Sequence, residues 1–199
     1  MRSVPGQLMR RVQRMGRGSV FIPTDFIDLG GRAAIDQTLS RLARSGKIRR
    51  LARGLYDYPR VHPRLGSISP DPDTVARALA RRTGSDIQVT GAQAANALGL
   101  STQVPAHAVY LTNGASRQVI IGKRRIALRH AAPKHFVGAG SGAGTVVQAL
   151  RYFGPDGTAS VVDNVASRLS MADRRRLLRG KAIAPSWMQP AIDRLATRP

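Results

Sequence analysis

The sequence predicts an α+β protein. Two observations carry that expectation: helical spacings of i, i+4, i+7 alternate with short apolar runs bounded by Gly or Pro, and from Thr145 onward only the helical spacing persists. A hydrophobic content of 42% supplies a core, and the 12 Pro and 20 Gly are spread without a repeat, which excludes a wholly disordered or fibrous chain.

The first helix is read from Gln7-Leu8-Met9-Arg10-Arg11-Val12-Gln13-Arg14-Met15, where Leu8, Val12 and Met15 share one face, and Gly16 and Gly18 end it. Val20-Phe21-Ile22 is a short strand. Pro23 suits the start of the next helix, Thr24 to Leu29, because it has no amide to leave unpaired there. After Gly30-Gly31 the third helix runs from Arg32 to Ser45, burying Ile35, Leu39 and Leu42 with Ala34 and Thr38 beside them. Lys47 to Leu51 and Leu55 to Tyr58 form a hairpin around a Gly-containing turn, and Pro59 closes it. The proline-rich stretch that follows has little periodicity, so the expected division is a domain over 1–60, a linker over 61–72 and a carboxy-terminal domain over 73–199.

That second region reads as a helix from Asp73 to Arg82, a strand Ile87-Gln88-Val89 and a small helix from Gly91 to Leu98. Strands follow at Ala108–Thr112, Arg117–Ile121 and Arg124–Arg129, and a loop at Gly138–Gly144 with Thr145 as a helix N-cap. Helices then cover Thr145–Phe153, Thr158–Leu169, Met171–Arg179 and Pro185–Leu195, a mixed α/β domain with a helical end.

Charge narrows the partners. Lys and Arg number 32 against 11 acidic residues, a formal net charge of +21, and most of the cations are Arg, which pairs with phosphate and guanine through two parallel hydrogen bonds. Both regions share the excess, with 14 basic and 4 acidic residues before Ser67 and 18 against 7 from there on. No window holds the apolar residues of a membrane span, and the opening Met1-Arg2-Ser3-Val4-Pro5-Gly6 has no apolar run of a secretory leader, so a cytoplasmic protein without a membrane partner is expected. The absence of Cys agrees and removes disulfide and thiolate chemistry.

Helix, strand, helix, Gly-Gly turn, helix and basic hairpin is the order of a winged helix-turn-helix, whose second helix of the pair enters the major groove of DNA. With Ile35, Leu39 and Leu42 inward, Arg32, Ala33, Asp36, Gln37, Ser40, Arg41 and Arg44 face solvent. Arg32 and Arg41 can each take O6 and N7 of guanine, and Gln37 can take N6 and N7 of adenine. Asp36 could accept from a cytosine amine or pair with Arg32 or Arg44. In the wing, Lys47, Arg49, Arg50 and Arg53 fall around one turn and are expected to hold phosphates, while Tyr56 and Tyr58 pack the wing onto the helices. Lys123, Arg124, Arg125 and Arg129 form a second basic patch, either a solvated hairpin face or an extension of the footprint.

The run Ile35-Asp36-Gln37-Thr38-Leu39-Ser40-Arg41-Leu42 with Gly46-Lys47-Ile48-Arg49-Arg50-Leu51-Ala52-Arg53-Gly54-Leu55-Tyr56-Asp57-Tyr58-Pro59 resembles the amino-terminal domain of the AbiEi-like antitoxins of bacterial toxin–antitoxin systems. In that family L-x-R-L followed by G-x-I-x-R-x-x-R-G-x-Y-x-x-P marks the recognition helix and wing. The similarity covers residues 5–60 closely and lies beyond Asp73 in length, element order and basic strands. It implies a transcriptional autoregulator of type IV (AbiE-like) systems that represses its own operon at inverted repeats and whose carboxy-terminal domain counteracts a co-encoded nucleotidyltransferase toxin, directly or functionally. On that resemblance Arg32, Gln37, Ser40, Arg41 and Arg44 are recognition-helix positions, and Lys47, Arg49, Arg50 and Arg53 are wing positions. The alternative is a stand-alone winged-helix regulator with a ligand-binding or oligomerisation domain; binding of RNA or an anionic membrane surface is a third reading of the same charge.

No enzyme, cofactor or metal site is expected. His62, His107, His130 and His135 have no metal-ligand spacing, the chain has no Glu, and its Asp residues are scattered. The Gly138–Gly144 stretch invites a phosphate-loop reading, but it lacks the Lys of a Walker loop and reads better as a flexible connection.

Overall fold

The i, i+4 pair Leu8 and Val12 is fully enclosed in the computed structural model, which describes residues 3–103 and 107–197. Met1 and Arg2, part of the opening read as lacking a leader, lie outside those residues. The chain divides into two compact units, one of residues 1–84 with 118–126 and one of residues 85–117 with 127–199.

In the first unit α1 (Val4–Met15) starts with Pro in its first turn and stops at Gly16, whose φ of 84° is open to glycine. Met15, expected on the buried face, is exposed in the last turn. β1 (Val20–Phe21) leads to a 3₁₀ segment, Pro23–Leu29, where an α-helix was expected. There the Asp25 carboxylate accepts from the Ile22 amide at 3.0 Å and fixes the tight entry. Across the Gly30-Gly31 turn, α2 (Arg32–Arg44) buries Ile35, Thr38, Leu39 and Leu42. Ala34 is exposed, at the edge of that stripe and against the expectation.

β2 (Arg49–Ala52) and β3 (Leu55–Asp57) are joined by Arg53-Gly54, a two-residue turn with Gly54 at φ 68°. The sheet order β1-β3-β2 puts β3 in the middle, so all three of its residues are buried. Phe26 meets Phe21 edge-on at 5.5 Å and Tyr56 stacks on Phe21 at 6.5 Å, which ties the sheet to the helices. This is the winged helix-turn-helix arrangement, built on one core of Leu8, Val12, Phe21, Phe26, Ile35, Leu39, Leu42, Ile48 and Tyr56. Truncating a fully enclosed member such as Leu39 to Ala should cost about 2–5 kcal/mol.

Residues 61–72 are not a bare linker. β4 (Arg60–His62) and β5 (Gly66–Ile68) pair antiparallel there, and the prolines at 63 and 70 fall outside the paired residues, where no ladder amide is lost. The expected domain start at Asp73 is also corrected. α3 (Pro72–Arg81) belongs to the first unit: it packs against β1, and Arg81 bonds the Asp25 carboxylate at 3.1 Å and the Val20 carbonyl at 3.3 Å.

The sheet of β6 (Ile87–Val89), β7 (Ala108–Thr112), β8 (Arg117–Ile121) and β9 (Arg124–His130) has the order β6-β7-β9-β8. In the second unit α4 (Gly91–Ala97) packs on α5 (Gly142–Phe153), and α6 (Thr158–Val165), α7 (Met171–Gly180) and α8 (Gln189–Thr197) complete the helical end. Val146, Val147, Leu150, Val162, Leu177 and Ile192 lie at the centre of its core. The α+β class is therefore as expected. Arg174 is buried, and its guanidinium donates to the carbonyls of Leu195 at 2.6 Å and Ala166 at 2.7 Å, satisfying carbonyls at two helix ends. Thr145 is not an N-cap: α5 starts at Gly142, and the Thr145 hydroxyl bonds back to the Ser141 carbonyl inside the helix.

Candidate nucleic-acid interface

A helix that buries Ile35, Thr38, Leu39 and Leu42 must turn Ala33, Gln37, Ser40 and Arg44 the other way, because these repeat at i, i+4, i+7, i+11. Gln37 and Arg44 are exposed and Ser40 is half-buried, with Arg44 Nη2 donating to the Ser40 hydroxyl at 3.3 Å. Arg41 is exposed one position round from Ser40. Neither Gln37 nor Arg41 has a side-chain hydrogen bond or ion pair among the described residues, so both keep their full donor sets for an external partner. Asp36 pairs with Arg32 at 2.9 Å, one helical turn away, which makes it a local counter-ion on this face. Arg32 itself sits at the helix start, away from the centre of the Gln37–Arg44 face.

The wing divides its four cations into two kinds. Lys47, Arg50 and Arg53 are exposed, and their side chains are without a protein partner among the described residues. Arg49 is different. It lies opposite Asp57 in the β2–β3 register, donating from Nε to Oδ1 at 3.0 Å and from Nη2 to Oδ2 at 2.6 Å. The same guanidinium reaches the Ser67 hydroxyl at 3.0 Å and the Ile68 carbonyl at 2.9 Å. Asp57 is fully enclosed, so Arg49 neutralises a carboxylate that the central strand would otherwise hold unpaired. Arg49 is thus a structural residue and drops out of the wing's free cations.

A β-bulge between Arg50 and Ala52 sets that pairing. A regular two-residue hairpin would face Arg50 to Asp57; the extra residue shifts the ladder so that Arg50 opposes Tyr56 and stays exposed. Tyr56 is buried, as packing of the wing required, and Tyr58 lies under Arg17, whose guanidinium carbon is 4.8 Å from the ring centre.

Lys123, Arg124, Arg125 and Arg129 are all exposed on the β8–β9 turn and along β9. Ile126 and Leu128 point inward, which sets Arg125 and Arg129 on the opposite face of the strand. Sequence reasoning missed Arg82, exposed at the end of α3, whose Nη1 donates to the Arg53 carbonyl at 2.8 Å. Arg at the last turn of a helix reads as a dipole partner, and nothing local announces that it reaches the wing.

The glycine-rich stretch before α5 is occupied by the chain itself. Asp173 Oδ1 accepts from the Ala143 amide at 3.2 Å, so a carboxylate already stands where a phosphate would have to bind. Hydrogen bonding from the Ser170 hydroxyl, then from the Ala143 amide, outweighs desolvation and holds the Asp173 carboxyl below its ordinary range. Among the described residues no group of three His, Cys, Asp or Glu is placed to hold a metal ion.

Fold and basic faces together define a winged helix-turn-helix protein of α+β class. The chain belongs to DUF6088, a family of unknown function, matched over residues 7–177. It is similar to the solved crystal structure of RV2827C protein from Mycobacterium tuberculosis, with 17% identity, a TM-score of 0.41, and coverage of 100% of this chain and 84% of that one. No curated protein matches the chain.

Proposed function

We propose that this protein is a DNA-binding antitoxin that represses its own operon. The observation that carries the reading is an exposed α2 face bearing Gln37, Arg41 and Arg44, with Gln37 and Arg41 unpartnered among the described residues, together with a wing whose Lys47, Arg50 and Arg53 side chains are free among the same residues. In this account α2 lies in the major groove, where Gln37 and Arg41 contact base edges, and the short wing holds phosphates. A two-residue wing turn favours a run along the backbone over deep insertion into the minor groove. The resemblance of residues 35–59 to the AbiEi-like antitoxins supplies the second half of the reading: the carboxy-terminal domain counteracts a co-encoded nucleotidyltransferase. The protein is then a cytoplasmic regulator rather than an enzyme; no helix of the described residues is long and apolar enough to cross a membrane.

Gel shifts on the duplex upstream of its own reading frame, at several salt concentrations, test the DNA half. The double change of Gln37 and Arg41 to Ala should abolish preference for that duplex over an unrelated one. Equal affinity of the double variant and the wild type for both duplexes would refute the assignment. The other half predicts a nucleotidyltransferase encoded beside this reading frame, and its absence, or failure of co-expression to restore growth, would leave a stand-alone regulator.

A further inference from the structure

A cavity of about 280 Å³ opens in the first unit where three elements converge. Arg32 lines it from the start of α2, Arg53 and Gly54 from the wing turn, and Arg82 from the end of α3; Thr24 is also in the lining, and no Asp lines it among the described residues. Three arginines line one recess and give it a net positive charge that Asp36, bonded to Arg32 Nε, offsets in part, so an anion there is favoured. Each keeps donors in reserve. Arg32 engages Asp36 through Nε and Arg82 engages the Arg53 carbonyl through Nη1, leaving further N–H groups on both, while the Arg53 side chain has no partner among the described residues. Arg32 is the first residue of the 13-residue α2, whose N-cap Gly31 supplies no side-chain cap and whose first turn holds no acidic residue, so the positive end of the helix is uncompensated there.

We propose that this recess is a phosphate-binding site, occupied by one backbone phosphate of the duplex at the edge of the groove that α2 enters. This rests on the DNA-binding reading above and adds a residue outside the winged helix, Arg82, as a direct phosphate contact. Planar guanidinium groups from separate elements suit a phosphodiester, because its two non-bridging oxygens can each accept N–H donors from more than one direction. A site bounded by the recognition helix on one side and the wing turn on the other fixes the register of both. It carries no base information, so it should act equally on every duplex.

Two variants test it. Arg82→Ala removes one cation, and Gly31→Asp places a carboxylate at the helix N-terminus, next in sequence to the recess-lining Arg32, without disturbing the fold. Gly31 has φ −62° and ψ 150°, open to any residue, and a Cβ there meets nothing within 4 Å. Asp is also a favoured N-cap, so the thermal midpoint of Gly31→Asp should equal or exceed that of the wild type. Each variant should weaken binding to the upstream duplex and to an unrelated duplex alike, by about tenfold. Arg82→Ala should also reduce the slope of log affinity against log salt by about 1. If the wild type binds duplex and both variants match it in affinity and slope, the phosphate site is refuted while the DNA-binding reading stands. If the wild type binds no duplex, the reading beneath it fails. In that case thermal protection by inorganic phosphate that is lost in Arg82→Ala would assign the recess to a free phosphate and overturn the backbone assignment.

Discussion

Replacing Arg49 with Ala should damage the fold before it damages binding. Asp57 is fully enclosed in the central strand, and Arg49 supplies two charge-assisted hydrogen bonds to it at 3.0 and 2.6 Å. Removing one partner of a buried pair leaves an uncompensated charge and costs about 3–5 kcal/mol. The Arg49 side chain retains 32% of its exposure, so water screens part of the pair and the lower end, about 3 kcal/mol, is expected. For a unit of this size that lowers the melting temperature by roughly 12–24 °C if it unfolds on its own. Arg50→Ala, one residue along the same strand and exposed, should stay within about 0.5 kcal/mol of the wild type. Urea unfolding followed by circular dichroism measures both, and the double change Arg49→Met with Asp57→Leu should recover most of the loss, because an apolar pair of similar volume often replaces a buried ion pair without penalty. An Arg49→Ala protein as stable as the wild type, with a selective loss of duplex affinity, would refute the reasoning.

Gln37→Ala and Arg41→Ala should each cost about 1–3 kcal/mol on the upstream duplex and leave affinity for an unrelated duplex nearly unchanged, as read by fluorescence anisotropy. Lys47→Ala with Arg50→Ala should weaken both duplexes equally and reduce the salt slope by about 2. Burial, reinforced by the nearby cations Arg151 and Lys134, lowers the pKa of His135, so the unfolded chain binds its proton more readily than the folded one. Stability of the second unit should therefore fall as pH drops below about 6.5 and level off below the lowered folded value, and His135→Phe should flatten that limb in unfolding titrations.

The winged helix-turn-helix was legible because each of its signals is local. Ile35, Leu39 and Leu42 state the buried face of α2, Gly54 states the hairpin turn, and Gly30-Gly31 separates the two helices. What stayed hidden depends on contacts distant in sequence. The pairing of Arg49 with Asp57 follows from a bulge that no residue type in Arg50-Leu51-Ala52 announces; without the bulge, Arg50 would be the structural residue and Arg49 the free one. One signal was available, since an Asp in a strand buried on both faces requires a cation nearby. The proline-rich segment after Tyr58 concealed the β4–β5 hairpin, because Pro63 and Pro70 look like breakers until the register shows them outside the paired residues. α3 was assigned to the wrong side of the boundary for a similar reason: its Val75 and Leu79 stripe says only that it packs, while Arg81 and Arg82 show against what.

The central claim is that the exposed face of α2 reads bases in the major groove. The most direct measurement compares the upstream duplex with the same duplex carrying 7-deazaguanine, which lacks the N7 acceptor, against both the wild type and Arg41→Ala. The account predicts that the substitution weakens the wild type by about 1–3 kcal/mol at the guanine Arg41 contacts and has no further effect on Arg41→Ala. Wild-type affinity unchanged by the substitution, and equal for an unrelated duplex, would contradict it.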